Sequence, residues 1–144
     1  MTFPDRIERT IDLAHPPAEV WAAITTAAGL GTWFGNKAEI DLRPGGEAHL
    51  TWNEGFTATL HIKVVDEPVR FAYTWGIEGL PEGDPRQTFV DFLLEPSGDG
   101  TRLTVIETGF AQAPAETFDQ AYHGNMEGWE KELGELVAYL DAGR

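Results

Sequence analysis

Apolar and polar residues alternate along most of the chain up to about residue 110, and a helical period replaces the alternation after Pro114. In ERTIDLAH and the isoleucine before it, Ile7, Ile11 and Leu13 share one face of a strand. Pro16-Pro17 stops that strand, and Pro17 suits the first turn of a helix. The next segment, PAEVWAAITTA, places Val20, Trp21 and Ile24 on one helical stripe. Gly29 and Gly31 mark a break before a second short helical turn that ends at Trp33-Phe34. Six strand patterns follow: AEIDL, EAHLTW, FTATLHIKVV, VRFAYTW, QTFVDFLLE and TRLTVIETGF. Between them lie turn residues such as Pro44-Gly45-Gly46, Asn53-Glu54-Gly55, Asp66-Glu67-Pro68 and Ser97-Gly98-Asp99-Gly100. The link from Gly76 to Arg86 carries two prolines and two further glycines and reads as a surface loop.

After Pro114, the residues Phe118, Tyr122, Met126, Trp129, Leu133, Leu136, Val137 and Leu140 mark one face of a helix of ~25 residues, nearly 40 Å long. A helix of that length with an acidic outer face needs a broad apolar surface to lie on, and the sheet supplies the candidate. Strand parity builds that surface from Ala48, Leu50 and Trp52; Phe56, Leu60, Ile62 and Val64; Phe71, Tyr73 and Trp75; and Val90, Phe92 and Leu94. The same parity puts Leu103, Val105 and Glu107 together on the inside. If Asn53-Glu54-Gly55 pairs Trp52 with Phe56, Glu47 faces His61 on the outer side. The predicted class is α+β: an antiparallel sheet of about seven strands, two short helices after the first strand, and a long C-terminal helix across the sheet.

Glu107 is the one charged member of an apolar set. A carboxylate on an inner face is costly unless hydrogen-bonded, so Glu107 is a candidate acid, base or ligand anchor, or a structural acceptor for Tyr or Trp.

Length and charge narrow the function. The 144 residues fit a single domain spanning 1–144, with five Trp, eight Phe and three Tyr among them. A net charge of -14 repels polyanions, which argues against nucleic acid and anionic membrane surfaces as partners. Without cysteine there are no disulfides or thiol nucleophiles. The start, MTFPDRIERT, has no apolar run, and no later segment approaches the ~20 apolar residues of a membrane helix, so the expected location is cytoplasmic. His15, His49, His61 and His123 have no metal-ligand spacing, Ser97 is a turn residue, and RPGG is a turn and not a phosphate loop. No catalytic, cofactor-binding or metal-binding set is therefore assigned.

Four stretches carry a resemblance: PPAEVWAAIT, TWFG with DLRPGG, FAYTWG, and GTRLTVIETGF with GWEKELGELVAYL. Together they resemble the helix-grip fold of the SRPBCC (START and birch-pollen-allergen) superfamily. More narrowly, they are similar to the family named for homology to the activator of the heat-shock-protein-ninety ATPase. The resemblance implies a curved sheet gripping the last helix and a cavity between them for a hydrophobic or aromatic small molecule. In this chain the candidate lining is Trp52, Phe71, Tyr73, Trp75, Phe92, Glu107, Tyr122, Met126 and Trp129. Trp33 and Phe34 are expected to plug one end of that space.

Three functions follow as expectations. The first is a small ligand-binding module. The second is an enzyme similar to the aromatase/cyclase-like members, with Glu107 and Tyr73 or Tyr122 as acid and base. The third is a co-chaperone or regulatory domain using an exposed apolar patch for a protein partner, for example around Leu80 or Leu93.

Overall fold

The computed structural model describes residues 5–52, 55, 57–77, 79–81 and 83–142. Its strands are β1 (Arg6–Leu13), β2 (Lys37–Ile40), β3 (Glu47–Thr51), β4 (Thr57–Asp66), β5 (Arg70–Gly76), β6 (Gln87–Ser97) and β7 (Gly100–Thr108). They form one antiparallel curved sheet in the order β1-β7-β6-β5-β4-β3-β2. Between β1 and β2 lie α1 (Pro17–Thr25), a single turn α2 (Ala27–Gly29) and a π-helical turn over Leu30–Phe34. A short 3₁₀ turn, Phe110–Gln112, leads into the 27-residue helix α3 (Ala115–Asp141). This is the predicted α+β architecture.

The periodicities explain the elements. In β6 the burial alternates without a break from Thr88 to Leu94, so Thr88, Val90, Phe92 and Leu94 line the inner face. In α3 the buried positions Phe118, Ala121, Tyr122, Trp129, Leu133, Leu136 and Leu140 recur at helical spacing and form the face laid on the sheet. Glu116 in the first turn suits the positive end of the helix dipole.

One inward assignment is corrected. The β4–β5 register shifts between Ile62 and Val64, and Val64 then pairs with the outward-facing Ala72 while Val65 pairs with the inner Phe71. A bulge adds one residue to the strand and exchanges its faces, so Val65, not Val64, packs on the core. Phe56 lies outside the described residues. On the outer side Glu47 does face His61, at 3.4 Å, and its other oxygen lies 3.4 Å from His49.

The link from Gly76 to Arg86 is also less superficial than its composition suggests. Ile77 is buried in the core and Leu80 packs against it. Leu93, like Leu80, is half-buried; among the described residues the exposed large apolar side chains are Leu42 and Val69. No helix of the described residues is long and apolar enough to cross a membrane.

Trp33 and Phe34 are 2% and 4% exposed, as expected of a plug. The Trp33 indole N–H donates to the Ala23 carbonyl at 2.7 Å, which ties the π-turn to α1. Gly35 then lets the chain pass close to β3: a Cβ there would stand 3.0 Å from the Thr51 carbonyl oxygen, close enough that the strand would have to give by a few tenths of an ångström.

Candidate functional site

Glu107 sits one residue from the end of β7, between Ile7 of β1 and Val90 of β6. Its inward parity leaves it 0% exposed. Donors from both layers converge on its carboxylate. From the sheet, the Trp75 indole N–H donates at 2.8 Å and the Thr88 hydroxyl at 2.5 Å, both to Oε2. From α3, the Trp129 indole N–H donates to Oε1 at 2.8 Å, and the Asn125 amide lies 3.0 Å from both oxygens. Each carboxylate oxygen offers two lone pairs, so these four groups use the whole accepting capacity. Every contact comes from a donor, which suits the ionised carboxylate and offsets the cost of burying it.

The hydrogen bonds set the rings. Trp75 and Trp129 stack at 5.8 Å between centroids, and Phe34 stacks on both, at 5.8 Å and 5.6 Å. Trp33 stacks behind Phe34 at 4.9 Å, and Trp52 meets Phe34 edge-on at 5.6 Å. Phe92 closes on Trp129 at 5.7 Å and Tyr73 on Trp75 at 5.3 Å, both edge-to-face. Offset and edge-to-face geometries of this kind stabilise ring pairs beyond the area they bury.

Tyr73 is the unusual member. Its side chain is buried and its hydroxyl has no hydrogen-bond partner among the described residues. Burial, and secondarily the negative charge of Glu107, push its ionisation well above the usual tyrosine range, so the hydroxyl stays protonated.

The predicted lining therefore divides. Tyr73, Trp75, Phe92, Glu107 and Trp129 come together, and Trp52 joins them through Phe34. Phe71 meets Tyr73 at 5.7 Å and Phe92 at 6.2 Å and extends the set towards α1, edge-on to Trp21 at 6.4 Å. Tyr122 belongs to a second cluster with Phe110 and Phe118, and its hydroxyl donates to the Arg6 carbonyl at 3.2 Å. Met126 packs half-buried against the core.

Three contributors escaped the sequence reading, although their signals were present. Thr88 has the inward parity of Val90 and Phe92, and Asn125 stands three residues after Tyr122 and four before Trp129. Phe34 was assigned to a plug, yet it also stacks on both tryptophans that hold Glu107.

A cleft of about 570 Å³ opens where the π-turn and Trp52 face the last turns of α3. Trp33 and Phe34 form its inner wall, and Lys131, Glu132, Glu135 and Tyr139 its helical side. Phe34 is thus shared between the cleft and the ring cluster around Glu107.

A family model described as Activator of Hsp90 ATPase homolog 1-like protein matches residues 14–141. Among solved structures, protein MLL2253 from Mesorhizobium loti is similar at 25% identity with a TM-score of 0.82, covering 96% of this chain and 98% of its own. CalU16 from Micromonospora echinospora is similar at 27% identity and a TM-score of 0.71, covering 93% of this chain and 74% of its own. DynU16, a protein in the dynemicin biosynthetic locus, shares the fold at 22% identity and a TM-score of 0.80, over 98% of this chain and 49% of its own. No curated protein matches the chain.

Proposed function

The chain belongs to the family of Activator of Hsp90 ATPase homolog 1-like proteins, within the SRPBCC superfamily, and from that premise we propose that it is a binding domain for a hydrophobic or aromatic small molecule held between the sheet and α3. The observation that carries this is the buried Glu107 carboxylate, bonded at once by the sheet and the helix inside a set of aromatic rings. A core that needed only to be filled could replace the carboxylate and its donors together by apolar side chains without loss of stability, because burying a charge offsets most of what its bonds contribute. What the carboxylate adds is orientation: it holds two indoles, one from each layer, in a fixed geometry against Phe34, which also lines the cleft. Pockets of this kind combine apolar walls with a few placed polar groups.

Glu107 acts here as a positioning residue. With its lone pairs filled by Trp75, Thr88, Asn125 and Trp129 it has no acceptor left to take a substrate proton, which favours binding over acid-base turnover.

The test is native mass spectrometry of protein purified gently from its own cells, alongside tryptophan-fluorescence titrations with a panel of aromatic and aliphatic compounds. The expected result is an adduct that is lost on denaturation, or saturable quenching by ring compounds. A clean apo mass with no saturable binding across the panel would overturn the proposal and leave a packed domain acting through its surface.

A further inference from the structure

The ring cluster contains two polar centres in opposite conditions. Glu107 is saturated, whereas Tyr73, its ring packed among Phe71, Trp75 and Phe92, carries a buried hydroxyl with no partner among the described residues. A buried hydroxyl without a hydrogen bond costs about 1–3 kcal/mol, and a phenylalanine would fill the same space without that cost. An acceptor brought by a ligand would remove that cost.

Resting on the binding function proposed above, we propose that Tyr73 is the specificity-determining residue of this site: its hydroxyl recognises a single uncharged acceptor, of the carbonyl type, on an otherwise apolar ring-bearing ligand. Three observations select that chemistry. The hydroxyl keeps its proton, because burial and the neighbouring Glu107 charge both oppose ionisation, and a phenolic O–H is a donor suited to a carbonyl oxygen. An anionic ligand would meet the Glu107 carboxylate inside and, at the cleft, Glu132 and Glu135 against Lys131, on a chain of net charge -14. A ligand rich in polar groups would find few partners, since the surrounding side chains are rings whose N–H groups already serve Glu107.

The experiment compares three probes of one shape, 2-acetonaphthone, 2-ethylnaphthalene and 2-naphthoate, on the wild-type protein and on Tyr73→Phe, by fluorescence titration and calorimetry. One neutral hydrogen bond corresponds to a preference of about 5- to 10-fold, so the wild type should bind the ketone that much more tightly than the hydrocarbon, and the naphthoate most weakly. In Tyr73→Phe the ketone should lose its advantage while the hydrocarbon binds as before. The ligand-free variant should unfold at the same urea concentration as the wild type or a higher one, because an unsatisfied group has been removed. Retention of the ketone preference by Tyr73→Phe would overturn the assignment, as would a ligand-free variant less stable than the wild type, the sign of a hydroxyl satisfied by internal water. A wild type that binds neither uncharged probe would overturn the Tyr73 assignment to a ring-bearing ligand, whereas the binding function itself falls only with a clean apo mass and no saturable binding across the wider panel.

Discussion

Replacing Glu107 by Gln changes almost no volume and tests whether the carboxylate organises the core. Glutamine keeps one acceptor oxygen and turns the other position into an NH2 donor. Each carboxylate oxygen receives one indole N–H, Trp129 at Oε1 and Trp75 at Oε2, so either amide orientation sets a donor against a donor. Thr88 can rotate its hydroxyl to accept and Asn125 can turn its amide, but an indole N–H cannot become an acceptor. One buried N–H is therefore left unpaired, at about 1–3 kcal/mol, and the surviving bonds fall from charge-assisted to neutral strength, a further loss of about 1 kcal/mol each. Relief from burying the charge offsets part of this, leaving a net destabilisation of about 2–3 kcal/mol. With a urea m-value of about 2 kcal/mol/M, the unfolding midpoint should fall by about 1–1.5 M. Glu107→Leu, which leaves all four donors without an acceptor, should be less stable still. The assay is urea unfolding at neutral pH followed by far-ultraviolet circular dichroism, which does not depend on the tryptophans being perturbed. The reasoning is refuted if Glu107→Gln lies within about 0.5 kcal/mol of the wild type, the ordinary range for a surface change, or if Glu107→Leu proves the more stable of the two.

Two further predictions concern the long helix. His15 joins the end of β1 to the end of α3 through Nε2 to Asp141 at 2.8 Å, with Nδ1 on Glu19 at 3.1 Å, and the Asp141 hydrogen bond, ahead of Glu19, raises its ionisation above the usual histidine value. A raised folded-state value means that the stabilisation is complete below the unfolded value of about 6.5 and fades as pH rises through the folded one. The stability difference between wild type and His15→Gln should therefore be largest near pH 5.5 and shrink by pH 8.5; a difference that grows with pH would reverse the assignment. Gly134 is exposed within α3, and a Cβ there would meet no atom within 4 Å. Gly134→Ala should thus add about 1 kcal/mol from helix propensity alone and raise the calorimetric Tm by about 3–4 °C, and an unchanged or lower Tm would mean that the helix needs a glycine there.

Some of the molecule could be read without its fold. Period-two alternation assigned Ile7, Phe71, Tyr73, Phe92 and Glu107 to the inner face, and the period of 3.6 found α3, because both signals depend only on neighbours in the chain. The Glu47–His61 pairing was legible for the same reason, since one short hairpin sets its register. The added residue in β4 was not, because either face of that strand offers Val, and only pairing with β5 decides that Val65 turns inward.

The site itself belongs to tertiary structure. Parity placed Glu107 inside but could not say that residues 18, 19, 22 and 32 positions away in the chain would converge on it. That convergence depends on the curl of the sheet and on the place where α3 crosses it, set by the packing of many side chains at once. The same packing saturates the carboxylate that looked available and leaves the Tyr73 hydroxyl without a partner among the described residues. It also opens a cleft beside Phe34, between the π-turn and the last turns of α3. Composition and periodicity determined which residues are inside; the angle and depth at which the two layers meet decided which of them touch.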